Sequence, residues 1–387
     1  MIYFDNAATT IPEKQAADAM FPYLWENYGN PGSVHALGRR AKDAVDRARR
    51  QVSHFLDCGP NNVIFTSSGS EANTMVFRGL ESHLLKTERT HVIITKGEHE
   101  SVQRAADWLE RRGFSVTRLD IGRDGTVTAK QVEQAIRPNT GLVSVMYCPN
   151  ELDGVNPVYE IGEICYRHGV LFHTDAVQAA GIYWLTPSEI GCDFMSVSSH
   201  KIHGPKGCGA LYAETTELLE PTVFGGGSQE HGLRGGTENV AAIVGFGRAC
   251  EIYDHDCDCD SMRGYYRFLK EYLDSSLTRR LFERGLTDVY SLTSPIGDAN
   301  KLMSVRFDGV DAETLVLALS EAGVCISSGS ACNSHSSEPS GVLLAAGLTP
   351  VQARNTVRIS FSRYNTVQDV EEAAETIAAC VAAILEG

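Results

Sequence analysis

A lysine in a segment of small and polar residues is the first candidate for chemistry in this sequence. Lys201 directly follows an apolar stretch typical of a buried strand, and Ser198 and His200 beside it can donate hydrogen bonds to a phosphate. An isolated lysine is most often a surface cation whose stem covers apolar neighbours. Glycines downstream of Lys201 allow a ligand to approach the backbone closely, which favours a ligand site here.

An aspartate at the end of another apolar stretch fits the same kind of site. The predicted strand Val170–Thr174 is followed by Asp175 and then by Gln178. Such an aspartate could merely cap the next helix. Together with a lysine at a strand end, it meets the needs of a pyridoxal phosphate site, which are a lysine for the Schiff base and a carboxylate that keeps the pyridine nitrogen protonated.

A phosphate and an aromatic ring would also find partners. The segment Thr66–Asn73, which includes Gly69 and Ser70, leads from a strand into a helix start, where free N–H groups and the helix dipole favour an anion. His99 follows a further strand and could stack over a planar ring, although a lone histidine is more often structural. Because ligands bind at the carboxyl ends of parallel strands, these features together favour a cofactor site.

A cysteine in a polar segment is a candidate second nucleophile. Ser327–Pro339 is almost free of apolar side chains, so we expect Cys332 on an exposed loop, where a stabilised thiolate would be reactive. His335, three residues later, could stabilise that thiolate. Other cysteines lie in apolar surroundings and are interpreted as inert core residues: Cys148, Cys165, Cys208 and Cys325.

An arginine and an asparagine could bind the substrate. Alternation in Thr356–Phe361 places Arg358 on a polar face, and its planar fork suits a carboxylate, although a surface ion pair is the plainer interpretation. Asn150 follows the predicted strand Leu142–Tyr147 and is well placed to join Arg358.

The hydrophobic pattern predicts the elements that position these residues. Between about residues 60 and 215, apolar strands alternate with amphipathic helices, which indicates an α/β fold with a mostly parallel sheet covered on both faces. From about residue 250 the pattern indicates a smaller α+β domain. We place the large cofactor domain at residues 15–258 and the small domain, which carries the cysteine loop, at residues 1–14 and 259–387.

The composition indicates a soluble protein of the reducing cytoplasm. The 387 residues include 11 cysteines at irregular spacing with no signal peptide before them, which argues against a disulfide framework. No apolar run approaches the roughly 18 residues that a membrane span requires. The net charge of −15 disfavours direct binding to nucleic acid or to anionic lipid.

Taken in order along nearly the whole chain, the motifs resemble the cysteine desulfurases of the NifS/IscS type, in the class V aminotransferase group of pyridoxal-phosphate enzymes. The matching segments are Tyr3–Thr10, Gly29–His35, Thr66–Asn73, Glu98–His99, His173–Gln178, Ser198–Gly207, Gly225–Asn239 and Ser327–Pro339. The resemblance implies a fold-type-I enzyme whose large domain holds a mostly parallel seven-stranded sheet flanked by helices. It also implies a homodimer that converts L-cysteine to L-alanine.

The resemblance assigns roles around the cofactor. It implies that Lys201 carries pyridoxal phosphate and moves the proton at the substrate Cα, and that Asp175 pairs with the pyridinium. Gln178 would contact the ring hydroxyl and His99 would stack on the ring. The residues that would hold the phosphate are Gly69, Ser70, Ser198, His200 and, supplied by the second subunit of the homodimer, Thr237.

The resemblance also assigns the substrate and sulfur chemistry. Asn150 and Arg358 would hold L-cysteine, and Cys332 would attack its sulfur as a thiolate and leave as a persulfide. The generous loop spacing around Cys332 resembles the class whose loop carries sulfur to an acceptor or scaffold protein. Such enzymes serve iron–sulfur cluster assembly, thiolation of transfer RNA and cofactors, and sometimes DNA sulfur modification.

Two segments depart from the family pattern near the active-site entrance. Relatives commonly have two asparagines, a glutamate, Ile or Val, and a glycine where this chain has Pro149–Asp153. The glycine-rich segment has one extra residue, with Ser228 before Gln229, and has His231 in place of an arginine. These departures suggest a specialised desulfurase with a dedicated partner.

Three alternatives stay open at this point. A selenocysteine lyase would use the same cofactor residues, and a true aminotransferase would need no cysteine on a loop. Outside the enzymes, a metal-binding scaffold is conceivable because soft and hard ligands share one short acidic run, although a solvated loop is the plainer explanation. The residues of that run are Asp254, His255, Cys257 and Cys259.

Overall fold

The computed structural model of this protein describes residues 1–225, 229–256, 258–297, 300–329 and 338–386. The predicted nucleophile Cys332 and its neighbour His335 therefore lie outside the described residues. The same holds for Ser228 and Cys257.

The first part of the chain builds the sheet that positions the site. After a short strand β1 (Ile2–Tyr3), its strands are β2 (Val63–Thr66), β3 (His91–Thr95), β4 (Ser115–Leu119), β5 (Thr140–Ser144), β6 (Leu171–Asp175), β7 (Phe194–Ser198) and β8 (Gly209–Ala213). Within the described residues these seven strands have the order β2-β8-β7-β6-β5-β3-β4, and all neighbours are parallel except those of β8. The predicted mostly parallel seven-stranded sheet is confirmed.

Helices cover both faces of this sheet. They are α1 (Lys14–Trp25), α2 (Ala36–Phe55), α3 (Gly69–Lys86), α4 (Glu100–Glu110), α5 (Ala129–Ala135), α6 (Val158–His168), α7 (Pro187–Ile190) and α8 (Val240–Asp256). Along β3, Ile93 packs into one core while Val92 and Ile94 pack into another, because successive side chains of a strand point to opposite faces. No helix in the described ranges has the length and apolar character that a membrane span requires.

The strand β5 differs from its prediction. It spans Thr140–Ser144, whereas the apolar run predicts Leu142–Tyr147. Thr140 is polar but fully buried, and its hydroxyl bonds to Nδ1 of His91 at 2.8 Å. Beyond the strand, the backbone N–H groups of Val145 and Tyr147 still bond to the β6 carbonyls of His173 and Asp175, so the chain stays beside the sheet as it approaches Asn150.

The second part of the chain builds a smaller unit around an antiparallel sheet. Its strands are β9 (Tyr290–Leu292), β10 (Leu302–Phe307) and β12 (Thr356–Ser360), with β10 in the centre, while β11 (Val324–Cys325) pairs with β1. Its helices are α9 (Cys259–Glu283), α10 (Ala312–Glu321), α11 (Gly341–Ala345), α12 (Pro350–Arg354) and α13 (Val367–Glu386). Leu343 and Ala353 pack into the same core as Ile93 of the large sheet, so the second part of the chain shares a core with the first part. The domain boundaries at residues 14/15 and 258/259 stay a prediction.

Candidate active site

A cavity of about 170 Å³ lies at the carboxyl ends of the parallel strands. β6 ends in Asp175, β7 ends in Ser198, and α3 begins at Gly69 beside them. The predicted site residues that line the cavity are Gly69, Ser70, His99, Asn150, Asp175, Gln178, Ser198, His200, Lys201 and Arg358. The fold therefore gathers residues that are spread over most of the sequence.

The Lys201 side chain is oriented by the N-terminal segment. Its Nζ donates to the main-chain carbonyl oxygens of Ala7 at 2.5 Å and of Ala8 at 2.9 Å. The same segment is tied down near the lysine, because the backbone N–H of Thr10 donates to the carbonyl of His200 at 2.9 Å. The amine is thus held at the cavity wall with its direction set by two carbonyl groups.

Asp175 is connected to His99 through two residues that the sequence pattern does not single out. Nδ2 of Asn73 donates to Oδ2 of Asp175 at 2.7 Å and to Oγ of Ser101 at 2.9 Å. The Ser101 hydroxyl in turn lies 2.7 Å from Nδ1 of His99. Asn73 lies one helical turn beyond Gly69, and that position within the glycine-serine motif is the only sequence signal for it.

The start of α3 forms a close approach between helix and sheet. Ser68 caps this helix by accepting from the backbone N–H of Glu71 at 3.1 Å. A Cβ at Gly69 would lie 2.6 Å from Cγ2 of Val177, so a larger residue would push apart the helix start and the segment after Asp175. Free N–H groups and the dipole at this helix start favour an anion.

Positive charge gathers around His200. Burial, followed by the charges of Lys201, Lys301 and Lys206, lowers the pKa of His200 to about 3. The imidazole is therefore neutral at ordinary pH, and it contacts the hydroxyl of Thr9 at 3.2 Å. A neutral imidazole can donate one hydrogen bond to a phosphate.

Five buried polar atoms of residues that line the cavity have no hydrogen-bond partner among the described residues. They are Oδ1 of Asn73, Oδ1 of Asn150, Oε1 of Gln178, Oγ of Ser198 and Nε of Arg358. Buried polar groups are nearly always paired, so these atoms indicate a ligand. With the anion-binding helix start, the carboxylate and the lysine, this donor and acceptor set fits pyridoxal phosphate.

Arg358 is buried and already has protein partners. Its Nη1 donates to the main-chain carbonyl of Asn150 at 2.7 Å, and its Nη2 pairs with Oδ1 of Asp5 at 3.1 Å. Its Nε has no partner among the described residues. The surface ion pair that the sequence leaves open is thus replaced by a largely buried pair beside the cavity, in which the Asp5 side chain is 20% exposed. Asp5 is a site residue that sequence reasoning misses.

One predicted site residue, Thr237, does not line this cavity. Thr237 lies in a separate cavity of about 180 Å³ with Ser67 and Arg234. Cys332 lies outside the described residues, as noted above. Next to that gap, the hydroxyl of Ser340 donates to Oε2 of the buried Glu151 at 2.6 Å.

The remaining cysteines are mostly buried. Burial raises the thiol pKa of Cys148, Cys165 and Cys208, which matches their interpretation as inert core residues. Cys325 is half-buried and so is not a core residue as predicted. Cys259 is buried, burial raises its pKa to about 11, and no metal-binding group of three or more His, Cys, Asp or Glu side chains occurs in the described ranges.

The segment Pro149–Asp153 is buried and fixed by residues of the second part of the chain. Asp153 forms a fully buried ion pair with Lys270 and accepts from the backbone N–H of Gly297 at 2.9 Å. Nδ2 of Asn300 donates to the carbonyl of Pro149 at 2.8 Å. Asp153, which stands where the family pattern has a glycine, therefore has a structural partner in this chain.

His231, which stands where the family pattern has an arginine, lies in a strained turn. Glu230 and His231 have φ angles of 44° and 58°, in the left-handed region that most residues avoid. The Glu230 carboxylate forms a bidentate pair with Arg49 and accepts from the backbone N–H of Phe65 at 2.7 Å. These contacts tie the turn to β2.

Comparison with known proteins agrees with this architecture. The sequence model of the aminotransferase class-V family matches residues 2–372. Similar curated proteins include the cysteine desulfurase IscS of Methanosarcina thermophila, at 36% identity over 97% of this chain and 91% of that protein, and the mitochondrial cysteine desulfurase of Arabidopsis thaliana, at 40% identity over 97% and 81%.

Similar solved structures include a NifS-like protein, with a TM-score of 0.88 and 30% identity over 98% of both chains. The structure of SspA in complex with cysteine has a TM-score of 0.78 and 34% identity, covering 95% of this chain and 100% of that one. The chain belongs to the class V aminotransferase family and, within it, to the IscS-type cysteine desulfurases.

Proposed function

We propose that this protein is a pyridoxal-phosphate-dependent cysteine desulfurase, which converts L-cysteine to L-alanine and retains the sulfur as a persulfide on Cys332. The observation that carries the proposal is the cavity that joins Lys201, Asp175 and His99 to buried, unpaired polar atoms. Relatives named cysteine desulfurase, and a relative solved with cysteine, support the same substrate.

The chain's own residues would hold and orient the cofactor. Bound pyridoxal phosphate supplies an electron sink for chemistry at the substrate Cα. Lys201 would carry it and move the proton at that carbon, guided by the carbonyl groups of Ala7 and Ala8. Asp175 would keep the ring nitrogen protonated, Gln178 would contact the ring hydroxyl, and His99 would stack on the ring.

The phosphate would be held at the start of α3. Its partners in this chain would be Gly69, Ser70, Ser198 and His200, which line one cavity. Thr237 of the same chain lies outside that cavity, which supports a homodimer whose second subunit supplies this residue. Phe21 and Trp25, at the end of α1, are 69% and 77% exposed and offer apolar surface for a second copy.

The substrate would be held by Arg358 and Asn150. The guanidinium of Arg358 has an Nε without a partner among the described residues, and Asn150 has an unpaired Oδ1 beside it. Asp5 and the Asn150 carbonyl hold the rest of the guanidinium in place. A substrate carboxylate can therefore bind to Arg358 without first ordering its side chain.

The sulfur step needs no outside oxidant or reductant. The Cys332 thiolate would attack the substrate sulfur, so that an S–S bond forms on Cys332 while the substrate C–S bond breaks. The carbon that loses sulfur takes a proton and leaves as the methyl group of L-alanine. An acceptor or scaffold protein, in iron–sulfur cluster assembly or a thiolation pathway of the cytoplasm, would then take the persulfide sulfur.

A pair of cysteine variants tests this function. Cys332→Ala should lower alanine release from L-cysteine at least about 100-fold while the bound cofactor keeps its yellow colour, since the cysteine acts after cofactor binding. Cys380→Ala, a half-buried cysteine on α13, should leave both unchanged. Unchanged turnover in Cys332→Ala would contradict the proposal. Amino transfer that depends on an α-keto acid would then identify an aminotransferase, and faster turnover of selenocysteine a selenocysteine lyase.

A further inference from the structure

An aspartate outside the cofactor cavity shares the arginine at the cavity wall. Arg358 lines the cavity, whereas Asp5, which accepts from its Nη2 at 3.1 Å, does not. A guanidinium has five N–H donors. The bonds to Asp5 and to the Asn150 carbonyl occupy one donor on Nη2 and one on Nη1, and Nε has no partner among the described residues. Arg358 can therefore bind a ligand carboxylate while Asp5 stays in place.

The backbone fixes Asp5 beside this arginine. Its carbonyl accepts from the N–H groups of Ala8 at 3.1 Å and of Thr9 at 3.3 Å. Residue 5 also forms a parallel bridge with Ser360, which follows Arg358 by two positions on β12. Because both ends of the ion pair are held by the main chain, the Asp5 carboxylate remains next to the guanidinium when a ligand arrives.

A carboxylate that binds to Arg358 must therefore lie close to Asp5. With N–H···O bonds of about 2.9 Å, two carboxylates on one planar guanidinium have oxygen atoms within about 8 Å of each other. Both side chains of the pair are largely buried, so water screens the repulsion between the two negative charges only weakly. Asp5 thus offsets part of the attraction that Arg358 exerts on a ligand.

We propose that Asp5 is a positioning residue whose negative charge also weakens the binding of carboxylates to Arg358. This inference rests on the proposed function for the identity of substrate and product. L-cysteine and L-alanine carry the same carboxylate, so a stronger attraction would hold the product as firmly as the substrate and would not speed the chemistry. Asp5 keeps the arginine oriented for the substrate while it limits the affinity for the product, which favours release of L-alanine.

Asp5→Asn tests this inference, because it removes the charge but keeps an oxygen that can accept from Nη2. In the holoenzyme, the inhibition constants of propionate and of L-alanine should fall about 10-fold. The KM for L-cysteine should fall as well without a rise in kcat, since the gain is in uniform binding. Burial raises the pKa of Asp5 and the charge of Arg358 opposes that rise, so the assays belong at pH 8, where the carboxyl is ionised.

A second measurement needs neither cofactor nor turnover. In cofactor-free protein, butanedione modifies arginines, and mass spectrometry reports the modification of Arg358 at increasing propionate concentration. The propionate concentration that protects half of Arg358 should also fall about 10-fold in Asp5→Asn. If Asp5 only oriented the arginine, this concentration would be the same in wild type and in the variant, because the hydrogen bond is kept.

Glu13→Gln is the matched control, because Glu13 and Arg363 form a similarly buried pair and neither residue lines the cavity. Its constants, and those of Asp5→Glu, which keeps the charge, should lie within about threefold of wild type. A half-protecting concentration in Asp5→Asn equal to or above that of wild type would overturn the inference, and so would a 10-fold fall in Asp5→Glu. Asp5→Ser, which is also neutral, serves if the Asn variant does not fold. If wild type releases no alanine, the proposed function fails, and the protection of Arg358 still tests Asp5.

Discussion

Lys270 and Lys301 are both buried lysines of the second part of the chain, yet they lie in opposite surroundings. Lys270 belongs to the Asp153 cluster, which we define as Asp153, Lys270, Gly297 and Asn300. There the two charges are paired, and further hydrogen bonds reach Oδ2 of Asp153 and the carbonyl of Asn300. Lys301 lies behind the cofactor cavity, where Asn150, Gln178 and Ser198 have unpaired atoms among the described residues.

This difference indicates that the Asp153 cluster stabilises the fold, whereas the cavity is built to bind a ligand. A buried ion pair with additional hydrogen bonds specifies one arrangement of the chain, because removing either partner leaves an unbalanced charge. Unpaired buried groups around a cavity lower the stability of the protein on its own and become paired when a ligand binds. The Asp153 cluster holds the Pro149–Asp153 segment in place, and the cavity beside that segment remains free to bind.

The largest effect is expected from the cavity. Lys201→Ala should remove the borohydride-sensitive yellow colour and lower alanine formation at least about 1,000-fold, since this lysine both carries the cofactor and moves a proton. The unfolding midpoint in urea should change little. Lys206→Ala, an exposed lysine of the same segment, is the control and should keep colour and turnover. A coloured, active Lys201→Ala protein would show that this cavity is not the cofactor site.

The Asp153 cluster should show the reverse pattern. Lys270→Met leaves Asp153 buried without its countercharge, so the free energy of unfolding should fall by about 3 to 5 kcal/mol in urea titrations. Burial raises the pKa of Asp153 to about 6 against the pull of Lys270, so the measurement belongs at pH 7.5, where the carboxyl is ionised. The double variant Asp153→Leu, Lys270→Met should recover most of the loss.

The exposed pair Lys14–Asp18 provides the control for that measurement. Its side chains are 86% and 63% exposed, so Lys14→Met should change the free energy of unfolding by less than about 1 kcal/mol. A Lys270→Met protein as stable as wild type would show that the cluster does not act as a structural ion pair.

Asn73 offers a smaller test on the cavity side. Asn73→Ala removes the donor to Oδ2 of Asp175, and the dissociation constant for pyridoxal phosphate should rise about 10- to 100-fold, the usual cost of a hydrogen bond to a charged group. Thr74→Ala, at the next position of α3, removes a hydroxyl that bonds to the Ser70 carbonyl and should bind the cofactor as wild type does. Equal dissociation constants for wild type and Asn73→Ala would show that the hydrogen bond from Asn73 to Asp175 does not contribute to cofactor binding.

Glu98 should give the most gradual effect, in the pH dependence of stability. Burial raises its pKa from 4.5 to about 8, although its Oε1 accepts from Thr95 and from the backbone N–H of Met146. Between about pH 4.5 and 8 the folded protein holds a proton that the unfolded chain has released. The stabilising contribution is therefore complete below pH 4.5 and is lost as the pH rises through 8.

Glu98→Gln removes this titration. The free energy of unfolding of wild type should fall relative to the variant by up to about 1.4 kcal/mol per pH unit across that range. Glu100→Gln, which changes an exposed carboxylate two residues away, should keep the wild-type slope. Parallel pH profiles for wild type and Glu98→Gln would show that Glu98 titrates as an exposed carboxyl does.

Local pattern was sufficient to predict most of the large sheet and the residues at its strand ends. Asp175 and Ser198 could be placed there because continuous apolar runs lead directly to them, and parallel strands present their carboxyl ends at one edge. The pattern misses β8, since Gly209–Ala213 is rich in glycine and alanine and lacks β-branched residues. It also misplaces β5, whose first residues are polar and small but buried.

By itself, the sequence determined the fold class, the family and the positions of the lysine, the aspartate and the anion-binding turn. Only the tertiary structure decided which polar groups meet. Asn73 reaches Asp175 across 102 residues, Lys301 reaches Lys201 across 100, Lys270 reaches Asp153 across 117, and Arg358 reaches Asp5 across 353. Partnership between polar groups depends on distance and burial in space, and no short stretch of sequence records either quantity.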